Sequence, residues 1–286
     1  MPLTLLGGLI PLGVAYSLGK LSFRRAPDVL AFGLGAVIES IAIFCLLAAG
    51  IAIWPALLAL GLLGLAPLIW LRPRPRAPMP AGLLLSLIFA VYGVFYLIHA
   101  LAPEVQPDGL TYHLALVAQY ARDGRFPERI QFYDMLPQGV EMLFLFAYKI
   151  GGGAAAKLVE FGFLLATIPL ILDIGRRMGV SDRVAGAGAA LCFCAPVTGL
   201  TGTSTYVDAA MVFYTLAALL ALLLWKKDGG DSYLAAAGLA SGFCYAIKLS
   251  GALVPALAAV FLALPGFITG LFHAVFWRAH KIRLDA

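Results

Sequence analysis

Two acidic residues, a lysine and a tyrosine–histidine pair are the side chains of this sequence best placed to do chemistry. Asp108, Tyr112 and His113 share the motif PDGLTYHL, Asp208 follows in TSTYVDAA, and Lys248 lies in CYAIKLSG. The last two motifs lie at the ends of long apolar runs, where an ionisable residue costs free energy and is a functional candidate by default. An acid and a base at one membrane face suit the charged head group of a lipid.

Each of these residues also has a purely structural interpretation. Lys248 is long enough to extend its ammonium group to the membrane surface without binding any ligand. Asp208 and Asp108 each precede an apolar helical pattern, and both could act as helix caps. His113 is of a type that often makes an interfacial hydrogen bond. These alternatives stay open at the level of the sequence.

The composition assigns the chain to the bilayer. Of its 286 residues, 62% are hydrophobic and only 12% are charged, whereas a soluble domain carries about 25% charged residues. The mean hydropathy of +0.94 is too high for a water-soluble globule. A disordered chain, a nucleic-acid-binding protein and an ordinary cytosolic enzyme are therefore excluded.

Several apolar runs come close to the roughly 20 residues that a helix needs to cross a bilayer. They lie at about 3–19, 29–50, 52–71, 82–101, 157–175, 184–203, 206–225, 232–249 and 252–276. The sequence therefore predicts an all-α fold, a polytopic transmembrane helical bundle of about nine spans.

The basic residues predict how this bundle is oriented. If the runs cross alternately, most lysines and arginines fall in loops on one side, namely Lys20, Arg24, Arg25, Arg72, Arg74, Arg76, Arg176, Arg177, Arg183, Lys226, Lys227, Arg278, Lys281 and Arg283. By the positive-inside rule that side is cytoplasmic. We therefore expect a multi-pass protein of the cell (plasma or inner) membrane with an external N-terminus and a cytoplasmic C-terminus. The first run lacks a preceding basic segment, so it is predicted to be a retained span rather than a cleaved signal peptide.

The external connection, residues 102–153, is more polar than the rest and carries helix signals. Pro107 to Gly109 predict a turn, apolar residues recur at helical spacing from Leu110 to Ala121, and Gly124 predicts the stop. This helix is expected to lie on the membrane surface with its apolar stripe down. The apolar segment 138–150 is too short to span, and a crossing there would move every later basic loop outside. It is therefore predicted to be an interfacial or re-entrant helix.

Motifs for several other chemistries are missing. The sequence contains no Walker-type nucleotide loop, no HExxH motif and no dense His/Cys cluster. No cofactor and no metal site are expected, and nothing indicates a divalent metal. Glu39 and Glu160 fall inside apolar runs and suggest helix–helix hydrogen bonds. The cysteines also fall in apolar runs and are predicted to be small buried apolar residues, namely Cys45, Cys192, Cys194 and Cys244.

Residues 82–265 resemble a family. The segments PDGLTYHL, GRFP and FYDMLPQGVEMLF are similar to the first external loop of GT-C-type membrane glycosyltransferases, which include protein O-mannosyltransferase-like and aminoarabinose-transferase-like enzymes. The segments KLVEFGFLLATIPLILDIGRRMG, TSTYVDAAMVFYTLAAL and GFCYAIKLSG resemble consecutive spans of that family. The resemblance implies sugar transfer from a polyprenyl-phosphate-linked donor to a lipid, glycan or protein acceptor on the non-cytoplasmic face.

The resemblance also implies roles for individual residues. Asp108 matches the loop aspartate that acts at the acceptor hydroxyl, and Lys248 fits the basic position that holds the lipid phosphate. Tyr112, His113 and Asp208 would support them. Many members have an Asp-Glu pair where this chain has Asp108 followed by Gly109. A second carboxylate would come from one of three other acids, namely Glu104, Asp134 or Asp208.

Two units are expected, N-terminal spans at 1–81 and a glycosyltransferase-like transmembrane domain at 82–286 that includes the loop 102–153. Family members generally continue with more spans, so the resemblance implies a chain truncated at its C-terminus. Two alternatives remain beside the enzyme. One is a transporter or lipid-binding membrane protein that uses the same external cleft, and the other is an inactive fragment or partner-dependent subunit.

Overall fold

In a computed structural model that describes residues 1–71 and 82–263, the chain folds into helices, and no strand occurs in those two ranges. The helices are α1 (Pro2–Ser22), α2 (Asp28–Ala48), α3 (Trp54–Leu65), α4 (Pro67–Leu71), α5 (Leu83–Leu101), α6 (Leu114–Asp123), α7 (Gly139–Gly151), α8 (Gly153–Arg177), α9 (Asp182–Phe193), α10 (Pro196–Thr201), α11 (Asp208–Asp228), α12 (Asp231–Ile247) and α13 (Leu253–Ala263). The all-α prediction is confirmed for the described part of the chain.

Among the described residues, six helical segments are long and apolar enough to cross a membrane, and they are Pro2–Ser22, Asp28–Ala48, Trp54–Leu71, Leu83–Leu101, Gly153–Arg177 and Asp208–Asp228. Three further spans were expected at 184–203, 232–249 and 252–276. The helix in the second of these ranges, α12, has 17 residues. The third range continues past residue 263 and so lies partly outside the described residues. The basic residues at 72–76 and 278–283 lie wholly outside them. The count of about nine spans stays a prediction.

The run 184–203 differs from the expectation of one continuous span. It is divided into α9, which ends at Phe193, and α10, which begins at Pro196. Proline lacks a backbone N–H and restricts the residue before it to extended conformations, so it begins a helix readily and rarely continues one. Ala195 is extended accordingly. Hydropathy alone does not reveal this break.

Close packing of α1 on α2 depends on glycine. A Cβ atom built on Gly19 would collide with the backbone oxygen of Ala31, and one built on Gly35 would collide with that of Ala15. Small residues let helix backbones approach to van der Waals contact, which is the main source of helix association in a bilayer. The α1–α2 pair is therefore a tightly packed unit, and it contacts α7 and α8.

The short helix α7 is enclosed by the bundle. All residues from Val140 to Ala147 are buried, and α7 packs on α1, α2, α6 and α8. The interfacial or re-entrant placement of this helix stays a prediction. Helix α6 buries its apolar residues Val117, Tyr120 and Ala121, and it packs on α7. Val117 and Ala121 of the predicted apolar stripe therefore contact protein, whereas Leu110 at its start is exposed. The placement of this helix on the membrane surface stays a prediction. Gly124 ends α6 in the left-handed conformation, as predicted.

The bundle has two chemically different ends. A cleft of about 290 Å³ at one end is lined by Arg25, Asp28, Arg177, Asp228 and Tyr233, which brings together the α1–α2 turn, the end of α8 and the α11–α12 turn. Helix α11 has 21 residues and is therefore about 31 Å long, so Asp208 at its start lies at the opposite end. Among the described residues, Arg25 and Arg177 of the basic loops are thus separated from Asp208 by about the length of a membrane span.

Candidate functional site

The candidate site is a small cavity at the end of the bundle where α11 begins. Its volume is about 140 Å³, and its lining includes Tyr112, His113, Tyr133, Glu141 and Lys248. These residues come from the segment before α6, the loop before α7, α7 itself and the end of α12. Parts of the sequence more than a hundred residues apart therefore meet in one cavity, which combines these polar side chains with apolar ones such as Leu116, Val207 and Ile247. We call it the polar cavity after its ionisable side chains.

Tyr112 is the residue that connects the members of this site. Its hydroxyl donates a hydrogen bond to Asp108 Oδ2 at 3.4 Å, and its ring stacks on Tyr133 with centroids 4.8 Å apart and planes 3° from parallel. Burial, together with the hydrogen bond to Asp108 and the negative charges of Asp108, Glu141 and Asp208, raises the pKa of Tyr112 to about 12. Tyr112 is thus a neutral hydrogen-bond donor with three carboxylates around it.

Asp108 is exposed and does not cap the following helix with its side chain. The segment Gly109–His113 forms a π-helical turn that leads into α6. Such turns are rare, and they frequently occur at functional sites because they re-aim side chains. The capping interpretation of Asp108 is therefore wrong, and its carboxylate instead accepts from Tyr112. An accessible carboxylate held by one hydrogen bond is suited to accept a proton.

His113 and Glu141 form the buried wall of the cavity. Nδ1 of His113 and Oε1 of Glu141 lie 2.6 Å apart. The second oxygen of Glu141 is buried, and among the described residues it has no hydrogen-bond partner. Sequence reasoning missed Glu141 as a site residue, although a lone acid in an otherwise apolar 13-residue helix was the available signal.

Lys248 and Asp208 form an ion pair at the mouth of the cavity. Nζ of Lys248 donates to Oδ1 of Asp208 at 2.9 Å, and the two side chains are 45% and 42% exposed. Asp208 is the first residue of α11 and does not cap it with its side chain. That function belongs to buried Glu160, whose Oε1 accepts from the backbone N–H groups of Ala209 and Ala210 at 2.8 and 3.1 Å. The capping interpretation of Asp208 is therefore wrong.

Glu104 is one of the three acids considered for the second carboxylate. Its two oxygens already accept hydrogen bonds from the protein. Its Oε2 accepts from the N–H and the hydroxyl of Thr205, at 2.6 and 2.9 Å. A Cβ atom at Gly109 would lie 2.6 Å from Thr205 Oγ1 and 2.9 Å from the carboxyl carbon of Glu104. The carboxylate of Glu104 therefore fills the space that a side chain at position 109 would need.

The pKa of Glu104 reflects this environment. Burial raises it, but hydrogen bonds from Gln106 and Thr205, together with the charge of Lys157, outweigh burial and hold the pKa below its ordinary value. Glu104 is thus a stable carboxylate that fixes the segment after α5 to the segment before α11. It supports the site and is not available to exchange protons near neutral pH.

Lys157 of α8 secures the same segment from the other side. Its side chain is buried and donates to the backbone oxygens of His99, Ala102 and Pro103, at 2.9, 2.9 and 3.4 Å. These oxygens are at the C-terminal end of α5, where carbonyl groups lack intrahelical partners. Lys157 thereby fixes the start of the loop that carries Asp108.

Asp134 lies apart from the small cavity. Its oxygens accept from the hydroxyl of Tyr120 at 3.2 Å and from the backbone N–H of Gln131 at 2.8 Å. It also lines a second, larger cavity. Of the acids considered for a second carboxylate, only Asp208 is partly exposed and close to Tyr112.

The larger cavity is apolar and adjoins the small one. Its volume is about 740 Å³, and its walls come from α2, α12 and the segment 126–139, with Ile41, Phe44, Phe126, Met142 and Phe243 among its lining. Leu136, Pro137 and Gln138 line both cavities. Ile41 and Phe44 are also exposed on the outer surface of the bundle, so the larger cavity borders that surface.

The cysteines are free, and they differ in exposure. Cys45 is exposed, Cys192 and Cys194 are half-buried, and Cys244 is buried. The interpretation as small buried residues therefore holds fully for Cys244 and is wrong for Cys45, which lies on an outward face of α2. Within residues 1–71 and 82–263, no group of three His, Cys, Asp or Glu side chains is arranged to hold a metal ion.

No family model, curated protein or solved structure matches this chain.

Proposed function

We propose that this chain is a membrane glycosyltransferase that transfers a sugar from a polyprenyl-phosphate donor to an acceptor on the non-cytoplasmic face. One observation carries the proposal. Tyr112, His113 and Lys248 line one small cavity, Asp108 accepts a hydrogen bond from Tyr112, and Asp208 pairs with Lys248. An apolar cavity of about 740 Å³ adjoins this group. A ligand with a charged head and a long apolar tail matches that pair of cavities.

The apolar cavity would bind the polyprenyl tail of such a donor. A polyprenyl chain is uniformly apolar and already lies in the bilayer, so the cavity would hold it by van der Waals packing rather than by removal from water. The exposed residues Ile41 and Phe44 on α2 border the entrance. The tail would therefore lie between α2 and α12, with the phosphate directed past Leu136 and Pro137 into the polar cavity.

The polar residues would carry out the transfer of the sugar. Asp108 takes the proton from the acceptor hydroxyl as its oxygen attacks the anomeric carbon. The bond from that carbon to the phosphate oxygen breaks, and polyprenyl phosphate departs with the electron pair. Lys248 stabilises the negative charge that develops on this phosphate. Tyr112 holds Asp108, and the ring of Tyr133 stacks on Tyr112 and keeps it in place.

The first experiment compares the unmodified chain with Asp108→Asn. Membranes containing either protein are supplied with a panel of radiolabelled polyprenyl-phosphate sugars, and label in lipid, glycan and protein fractions is counted. The amide keeps the size of the side chain but cannot accept a proton, so transfer should fall by about a hundredfold or more. Retained transfer in Asp108→Asn rules out Asp108 as the base.

The matched control is Asp123→Asn. Asp123 lies in the same loop, at the end of α6, and forms an exposed ion pair with Arg122. This variant should accumulate in the membrane and transfer sugar as the unmodified chain does. Equal loss in both variants would indicate a general structural effect and contradict the assignment of Asp108.

The rival class is a transporter or lipid-binding protein that uses the same cavities. The same labelled donors in sealed vesicles distinguish it, because a transporter moves the intact donor across the bilayer and forms no product. Movement of intact donor without transfer would replace the glycosyltransferase proposal with the transporter.

A further inference from the structure

A third cavity lies on the other side of the ion pair. Its volume is about 330 Å³, it lies between α8, α10 and α11, and Asp208, Thr167, Thr198, Thr201 and Cys192 contribute to its lining. The hydroxyl groups and the carboxylate make one part of it polar. Its remaining walls are apolar, so the cavity suits a molecule that is itself part polar and part apolar.

This cavity borders an outward apolar surface of the bundle. Val197 and Val212 belong to its lining, and their side chains are 72% and 43% exposed. Val212 lies on α11, which is long and apolar enough to cross a membrane, so this surface suits contact with lipid. A molecule can therefore enter from the bilayer with its apolar part against these valines and its polar part towards Asp208.

The Lys248–Asp208 ion pair lies between this cavity and the small polar one. Lys248 lines the polar cavity of about 140 Å³, whereas Asp208 lines the third cavity. Since both side chains are more than 40% exposed, the pair is weak and can exchange partners. A phosphate entering the polar cavity carries negative charge and competes with Asp208 for the ammonium group.

We propose that an anionic lipid phosphate bound at Lys248 releases Asp208, and that the freed carboxylate binds the hydroxyl of an amphiphilic alcohol in the third cavity. The identification of this alcohol as the acceptor rests on the proposed function. Without the phosphate, one oxygen of Asp208 accepts from Lys248, which weakens its binding of a second hydroxyl ligand. Each ligand therefore strengthens the binding of the other.

Cys192 provides a native reporter for this cavity. It is half-buried and lines the cavity with Asp208, whereas Cys45 is exposed on α2 and serves as an internal reference. The full chain is placed in phosphatidylcholine nanodiscs, and the rate of N-ethylmaleimide alkylation is followed at each cysteine by mass spectrometry. The probes are geranylgeranyl phosphate as the anion and 1-monooleoylglycerol as the alcohol.

We expect 1-monooleoylglycerol to slow alkylation of Cys192 about fivefold or more when geranylgeranyl phosphate is present, and much less when it is absent. Alkylation of Cys45 should not change. The dimethyl ether of the same glyceride, which cannot donate a hydrogen bond, should not protect. Protection that is the same with and without the phosphate would overturn the proposal.

Variants of the ion pair test the exchange itself. Lys248→Met leaves Asp208 without its partner, so 1-monooleoylglycerol should protect Cys192 without the phosphate. Asp208→Ala should abolish protection. The matched control is Asp182→Asn, which removes one charge of the exposed Arg176–Asp182 pair at the other end of α8. This control should retain the phosphate dependence of the unmodified chain.

A second measurement does not depend on cysteine chemistry. Coupling between two ligands is reciprocal, so 1-monooleoylglycerol must tighten the binding of tritiated geranylgeranyl phosphate by the same factor. Unchanged phosphate affinity would overturn the proposal even if Cys192 were protected. If coupling is observed but no sugar is transferred, the proposed function fails and the coupled sites remain. If sugar is transferred without coupling, only this inference fails.

Discussion

His113 and Glu141 join the π-helical turn to α7 through a buried hydrogen bond, with Nδ1 and Oε1 2.6 Å apart and side chains only 6% and 3% exposed. This contact links the ring of His113 to the buried side chain of Glu141. The pair therefore fixes both the orientation of the imidazole ring and the position of Tyr112 beside it. The polar cavity depends on a contact that lies below its surface.

Glu141→Leu should destabilise the protein strongly, because it leaves the buried His113 ring without a partner. We expect a loss of about 3–5 kcal/mol in the free energy of unfolding, whereas Glu141→Gln keeps an acceptor and should cost about 1 kcal/mol. Equilibrium unfolding in mixed dodecyl sulfate micelles measures both. The control is Glu128→Leu, since Glu128 is 80% exposed. A similar loss for Glu128→Leu would contradict this role of Glu141.

The loop that carries Asp108 should depend on Lys157 in α8. Lys157→Met removes the donor to the carbonyl groups of His99, Ala102 and Pro103, and each lost bond to a charged donor costs about 1.5–3 kcal/mol. We expect lower thermal stability in detergent and loss of sugar transfer. Lys149→Met, on the half-buried last turn of α7, serves as the control and should leave both nearly unchanged. Full transfer by Lys157→Met would show that this anchor is dispensable.

The sequence predicts the long helices well because their signal is local. A run of about 20 apolar residues is sufficient to identify α1, α2, α8 and α11, and Gly124 is sufficient to end α6. The helix break before Pro196 and the enclosure of α7 follow from packing and backbone restriction. Neither feature can be detected from hydropathy averaged along the sequence.

The candidate site was predictable only in part, for a related reason. Asp108, Tyr112, His113, Asp208 and Lys248 are unusual for their position, so their residue types alone identify them as candidates. The partners of a residue depend on three-dimensional contacts. Nothing local in the sequence indicates that Glu141 pairs with His113, 28 positions earlier, or that Glu160 caps α11 in place of Asp208.

The α1–α2 contact should not tolerate a larger residue at Gly35. A side chain there meets the backbone of Ala15, which cannot move away as a flexible side chain would. We expect Gly35→Leu to separate the helices and to cost about 3 kcal/mol or more. Gly93→Leu on α5 is the matched control, because nothing lies within 4 Å of a Cβ built at that position. Equal accumulation and equal thermal stability of the two variants would contradict the close approach.

The stability of the protein should fall in acid partly through Glu104. Burial raises the pKa of this carboxyl, but its hydrogen bonds from Gln106 and Thr205 and the charge of Lys157 hold it below the ordinary value of 4.5. A carboxyl whose pKa is lower in the folded state stabilises that state above the unfolded pKa. This contribution is lost as the pH falls through the folded pKa, because the unfolded chain then takes up protons first.

Glu104→Gln tests this directly. The amide carries no charge at any pH, so the variant should be less stable than the unmodified chain near neutrality, and the difference should narrow as the pH falls from about 5 to about 3. Thermal unfolding in detergent across that interval measures the difference. Glu128→Gln is the control, because an exposed carboxyl without buried partners contributes little to the pH dependence. A constant difference between Glu104→Gln and the unmodified chain at all pH values would mean that the hydrogen bonds of Glu104 do not depend on its charge.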